Sequence, residues 1–206
     1  MDSFITVKKL GEFRFEDRKS VFIGYALPIR NESEAIDFIN SVKKKYPDAR
    51  HWVYAYVLRE NSTMRYSDDR EPQGTAGMPI LDIIRKKSIT DVVIVVVRYF
   101  GGILLGTGGL VHAYSESAIG ALEAAEVIMY NTYTTLSVKL SYSDHGKCSA
   151  AFDEFEFITD DIEYAEDVTL NGTVISESEK EFISKITELT SGRCKIELIG
   201  REFAYR

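Results

Sequence analysis

The stretch Asp91-Val92-Val93-Ile94-Val95-Val96-Val97-Arg98-Tyr99-Phe100-Gly101-Gly102 decides how the first half of this chain reads. Its β-branched run is strand-sized and has no polar alternation, which predicts a strand covered on both faces. Arg98 then stands charged at the mouth of that strand, where a guanidinium needs an acidic partner. Five glycines follow (Gly101, Gly102, Gly106, Gly108 and Gly109) before a helix expected from Leu110 to Glu126. Glycines between a buried strand and a helix start expose backbone N–H groups, an arrangement suited to anions. Two sharper motifs fail at this loop. Thr107 occupies the position of the P-loop lysine, and Val111 stands where a dinucleotide fingerprint needs its third glycine.

Upstream lies a second dense segment, Ser67-Asp68-Asp69-Arg70-Glu71-Pro72-Gln73-Gly74-Thr75-Ala76-Gly77. Its three carboxylates could orient a cation or a substrate amine. They could equally be turn residues, with Thr75 capping a helix expected from Pro79. Contiguous acids seldom converge as metal ligands, so no metal and no cofactor are expected. His51 beside Trp52 reads as a packed strand residue. His145 with Cys148 is too small a set for zinc.

Around these segments the pattern is mixed. Strands are expected at Phe13–Phe15, Val21–Leu27, His51–Leu58 and Met64–Tyr66. A helix should start at Asn31, with Glu34 three residues on and a stripe of Ile36, Ile39, Val42 and Tyr46. Beyond the polar junction Asn131-Thr132-Tyr133-Thr134 the elements run β-α-β-β-α-β, the order of a ferredoxin-like unit. Asn171-Gly172 there is a turn signal that could split a strand. Ser178 with Glu181 reads as a helix cap.

Composition bounds the function. The chain has 206 residues, 45% hydrophobic and 28% charged, which suits two modest globular domains. Residues 1–132 hold 17 Lys/Arg and 17 Asp/Glu, whereas residues 133–206 hold 8 and 15, the whole net charge of −7. An acidic second half argues against bulk electrostatic binding of nucleic acid. No apolar run reaches membrane-spanning length, and Met1-Asp2-Ser3 does not open a secretory leader. Two cysteines, Cys148 and Cys194, form no metal or disulfide framework, so a cytoplasmic location is expected.

The two dense segments resemble those of the YigZ/IMPACT family. The matching stretches are Lys19-Ser20-Val21-Phe22-Ile23, Ser67 through Leu81, and Val97-Arg98-Tyr99-Phe100-Gly101-Gly102 with Leu105 through Tyr114. Arg70 replaces the glycine usual in that family, Leu104 a lysine, and His112 a common arginine. The resemblance implies an α+β chain: residues 1–132 similar to domain 2 of ribosomal protein S5, and residues 133–206 a smaller ferredoxin-like domain similar to the C-terminal domains of elongation factor G. It also implies a non-enzymatic role in translation regulation and stress response, with a protein or ribosome-associated partner. The expected contact surface comprises Ser67, Asp68, Asp69, Glu71, Gly74, Thr75, Gly77, Arg98, Tyr99, Phe100, Gly101, Gly102, Gly106, Gly108, Gly109 and His112. Two alternatives stay open: an enzyme or binder of a small phosphorylated or carboxylated molecule, and an RNA-binding module. A deep pocket enclosing Asp69, Glu71 and Arg98 would favour the first of these, and a flat or convex surface the binding protein. Salt-sensitive RNA binding would favour the second.

Overall fold

The computed structural model describes residues 3–205, so the reading of Met1-Asp2 lies outside the described residues. The chain divides into two compact units, one of Phe4–Met129 and one that holds the residues from Tyr130 onward together with Ser3. The first contains β1 (Phe4–Val7), β2 (Gly11–Asp17), β3 (Ser20–Pro28), α1 (Glu32–Lys45), β4 (His51–Val57) and β5 (Met64–Ser67). α2 (Gly77–Lys86), β6 (Val92–Tyr99) and α3 (Gly106–Ala124) follow.

The β-branched run forms β6, central in an antiparallel sheet of order β2-β3-β6-β4-β5. Side chains alternate across a strand, so this run serves two cores. Val92, Ile94 and Val96 join the cluster under α2 and α3, whereas Val93, Val95 and Val97 join the cluster under α1. The continuous apolar pattern follows from helices on both faces. By the same alternation Arg98 points to the α2/α3 side, and Tyr99 packs on the α1 side.

Asn31 caps α1 by accepting the Glu34 N–H at 3.0 Å, as the spacing predicts, while Glu34 accepts the Arg30 N–H at 2.8 Å. The buried stripe, however, is Ala35, Ile39 and Val42, with Ile36 47% exposed. Small Ala35 lets the helix approach the sheet, which turns Ile36 outward. α2 begins two residues before Pro79, and Thr75 does not cap it; the Thr75 hydroxyl donates to the Pro72 carbonyl at 2.7 Å. α3 begins inside the glycine loop rather than at Leu110.

The second unit holds most of β7 (Val127–Leu140), then α4 (Tyr142–Glu154), β8 (Ile158–Tyr164), β9 (Val168–Ile175), α5 (Glu179–Leu189) and β10 (Lys195–Tyr205). Its strands lie in the order β10-β7-β9-β8, all antiparallel, as the β-α-β-β-α-β reading requires. Two local expectations give way. Asn131 to Thr134 are no aperiodic connection, because they lie within β7 and pair with β10. Asn171-Gly172 makes no turn: both pair across to β7, and β8 covers the other edge. Ladder bonds on both sides outweigh the local turn preference. Ser178 likewise makes no side-chain cap. Among the described residues no helix is long and apolar enough to cross a membrane.

Asp144 anchors this unit. Its buried carboxylate accepts Arg193 at 2.8 and 3.1 Å and Lys147 at 2.9 Å, which ties α4 to the turn before β10. These bonds, Arg193 first, hold its carboxyl well below the usual carboxylate range. A folded pKa below the unfolded one contributes stability that is fully present above about pH 4 and lost as pH falls further. Asp144→Asn should therefore lower the calorimetric melting temperature at pH 7 by several degrees. The gap from the wild type should close on acidification below about pH 4, and a constant gap would contradict this.

Candidate functional site

Arg98 stands directly across from Phe22 of β3 and from His51 of β4, so three strands deliver these side chains to one row on the α2/α3 face. Arg98 is 5% exposed and its Nη1 donates to Glu71 Oε1 at 2.5 Å. The Tyr114 hydroxyl, projecting from α3, donates to the same oxygen at 2.8 Å. His51 Nε2 lies 3.7 Å from that oxygen, and its Nδ1 donates to the Asp69 carbonyl at 2.8 Å. Burial, and then the Glu71 charge, push the Tyr114 hydroxyl well above its ordinary range, so it remains a donor. The Phe22 ring, edge-on to Tyr114 at 5.3 Å, lies 5.4 Å from the guanidinium. The acidic segment and the end of β6 are thus joined by a buried pair, as the charge at the strand mouth requires.

Of the three carboxylates in that segment, Glu71 meets Arg98 and the other two fold the loop. Asp68 accepts the N–H groups of Gly74, Ala76 and Gly77 at 2.8 to 3.1 Å. Asp69 accepts the Trp52 N–H at 2.7 Å, and its own N–H donates to Ser67 Oγ. Thr75 and Gly77 are buried, and a Cβ on Gly77 would come within 2.6 Å of the Ser67 carbonyl oxygen. They position the loop and offer little surface. Gly74, by contrast, is exposed at its tip.

Arg70 has φ of +70°, a left-handed conformation costly for a side-chain-bearing residue. That accounts physically for the glycine usual at this position in the resembled family. The Arg70 side chain is 71% exposed and donates to the Arg50 carbonyl at 3.2 Å, which offsets little of the strain. Arg70→Gly should stabilise the protein by about 1 kcal/mol, read as a higher denaturant midpoint. An unchanged or lower midpoint would contradict it.

Both segments open on one cleft of about 390 Å³. Glu71 and Pro72 line it from the acidic loop, and Arg98 and Phe100 from the end of β6. Leu104, Leu105, Gly106 and Thr107 line it from the glycine loop, with Leu110 behind and Arg50 and His51 from the start of β4. Gly106 has φ of +73°, which lets the chain turn into α3 there. Leu104, where the resembled family carries lysine, is 81% exposed at the rim. Asp69 is not among the lining residues.

Other expected surface residues lie elsewhere. Tyr99 packs on the opposite face of the sheet, and His112 is exposed with its ring edge-on to Phe15. Gly101 packs against the turn between β2 and β3, whereas Gly102, Gly108 and Gly109 belong to the loop and first turn of α3 without lining the cleft. His51 and Arg50 were missed as site residues. The signal was cross-strand: His51 pairs in register with Arg98, a non-local relation that no local motif carries.

Comparison with known proteins agrees with this layout. The Impact N-terminal domain model matches residues 18–122, and a domain of unknown function, DUF1949, matches residues 138–193. The chain belongs to the IMPACT family. It is 36% identical over 197 residues to the IMPACT family member YvyE of Bacillus subtilis, covering 95% of this chain and 91% of that protein. Identity to YigZ of Escherichia coli is 31%, covering 88% of this chain and 90% of that one. A crystal structure of a protein described as hypothetical superposes with a TM-score of 0.60 at 30% identity, covering 97% of this chain and 98% of its own. The frog protein IMPACT-B of Xenopus tropicalis is 29% identical over 116 residues, 54% of this chain and 36% of its own.

Proposed function

We propose that this chain is a non-enzymatic binding protein associated with regulation of translation, and that the cleft between its two motif segments is the recognition element. The carrying observation is that the two motif segments meet at one site, walled by Glu71 and Pro72 on one side and by Phe100 and Leu104 to Thr107 on the other, with Asp69 outside it. Its buried Arg98–Glu71 pair makes the shape depend on both segments together. The exposed Leu104, with Phe100 39% and Ile103 44% exposed nearby, supplies apolar contact area at the rim. The link to translation rests on family membership.

The concavity also weighs for the alternative reading, a binder of a small carboxylated or phosphorylated molecule, since the volume lies in the range of ligand sites. Both readings share one feature: a group inserts into the cleft. The test is co-sedimentation with ribosomes and affinity capture of translation factors, wild type against Leu104→Glu. An exposed substitution leaves the fold intact, so loss of capture is expected. Equal capture by both proteins would contradict the proposal.

A further inference from the structure

We infer that the cleft takes a carboxylate carried on an apolar stem, seated between Arg98 and the N-terminus of α3. This rests on the reading of the cleft as the recognition element. Two independent features converge there. Arg98 lines the cleft, is 5% exposed, and has an Nε with no hydrogen-bond partner. A buried donor left unmade is costly, so the guanidinium retains unused donor capacity beside its bond to Glu71. α3 is 19 residues long and starts at Gly106 and Thr107, which also line the cleft. That helix start has no side-chain cap and no acidic residue in its first turn, so its free N–H groups and positive dipole end are uncompensated.

The remaining walls set the rest of the ligand. Arg50 adds a second cation, and Glu71, the acid present, already accepts two donors. Phe100, Leu104 and Leu110 give the cleft an apolar side. A planar carboxylate matches the fork of a guanidinium, whereas a phosphate dianion would stand against Glu71 with more charge. The carboxylate could belong to a free acid or to a peptide C-terminus; the recognising chemistry is the same.

The experiment is an NMR titration of the full chain with N-acetyl-L-leucine, N-acetyl-L-leucinamide, inorganic phosphate, and a leucine-terminated peptide with a free or amidated end. The free acid should shift the Gly106 and Thr107 amides and the Arg98 Nε–H signal, and the amide should bind about tenfold more weakly or worse. Stronger binding of the free-ended peptide than of N-acetyl-leucine would assign the source to a peptide terminus, and equal binding to a small acid. Thr107→Asp places a carboxylate at an exposed position of the helix start without touching the buried pair. It should abolish the shifts while the melting temperature holds. Equal shifts from acid and amide, preference for phosphate, or no shift at all would overturn the inference. If partner capture still depends on Leu104 in that event, the broader function stands and the ligand assignment alone falls. Carboxylate binding with capture indifferent to Leu104→Glu would do the reverse.

Discussion

Glu71→Ala is expected to destabilise the N-terminal unit by about 3–5 kcal/mol, because it leaves the Arg98 guanidinium buried and uncompensated. The side chains of the pair are 6% and 5% exposed, so hydration compensates little for the lost partner. Tyr114 loses its acceptor in the same step. Arg98→Ala should cost less, about 3 kcal/mol, because the Tyr114 hydroxyl still donates to the remaining carboxylate. Replacing both charges by apolar residues of similar size, Arg98→Met with Glu71→Leu, should recover most of the stability. That double variant separates folding from recognition: it should melt near the wild type yet fail to capture the partner. Urea unfolding followed at Trp52, the sole tryptophan and the neighbour of His51, reads all of these. A Glu71→Ala cost under about 1 kcal/mol would show the pair to behave as an exposed one.

Gly101→Ala is the second large effect, expected at about 3 kcal/mol. A Cβ there would lie 2.0 Å from the Lys19 carbonyl carbon and 2.2 Å from its oxygen. These are backbone atoms of the tight turn between β2 and β3, where Arg18 and Lys19 both have positive φ, so they cannot rotate aside. The Gly101 N–H also donates to the hydroxyl of buried Ser20 at 3.2 Å, which docks the loop after β6 onto that turn. The substitution must therefore lift Phe100 and the cleft rim from the sheet. Thermal unfolding measures the loss, and a melting temperature within a degree or two of the wild type would mean that the loop moves freely.

How much of this was legible in sequence depended on whether the determining contact was local. The β-branched run, the Asn31 cap and the need for an acid near Arg98 follow from neighbouring residues and from the cost of burying a charge. That Glu71 rather than Asp68 or Asp69 meets Arg98 does not, because it depends on how the acidic loop folds back on three of its own amides. His51 joins the site only through its register with β6. Ile36 and the Asn171-Gly172 pair failed for a related reason: tertiary packing chose the Ala35 face of α1, and a ladder on each side kept β9 straight. Arg70 is the reverse case, where a strained backbone explains a departure from a family pattern that sequence could note and not interpret.

The central claim is that Arg98 and Glu71 join the two motif segments into one cleft, and a double-mutant cycle tests it most directly. Urea unfolding of the wild type, Arg98→Met, Glu71→Leu and the double variant gives the coupling between the two side chains. The account predicts a coupling of about 5 kcal/mol, with the double variant far more stable than the sum of the single losses allows. Additivity within about 0.5 kcal/mol would contradict it.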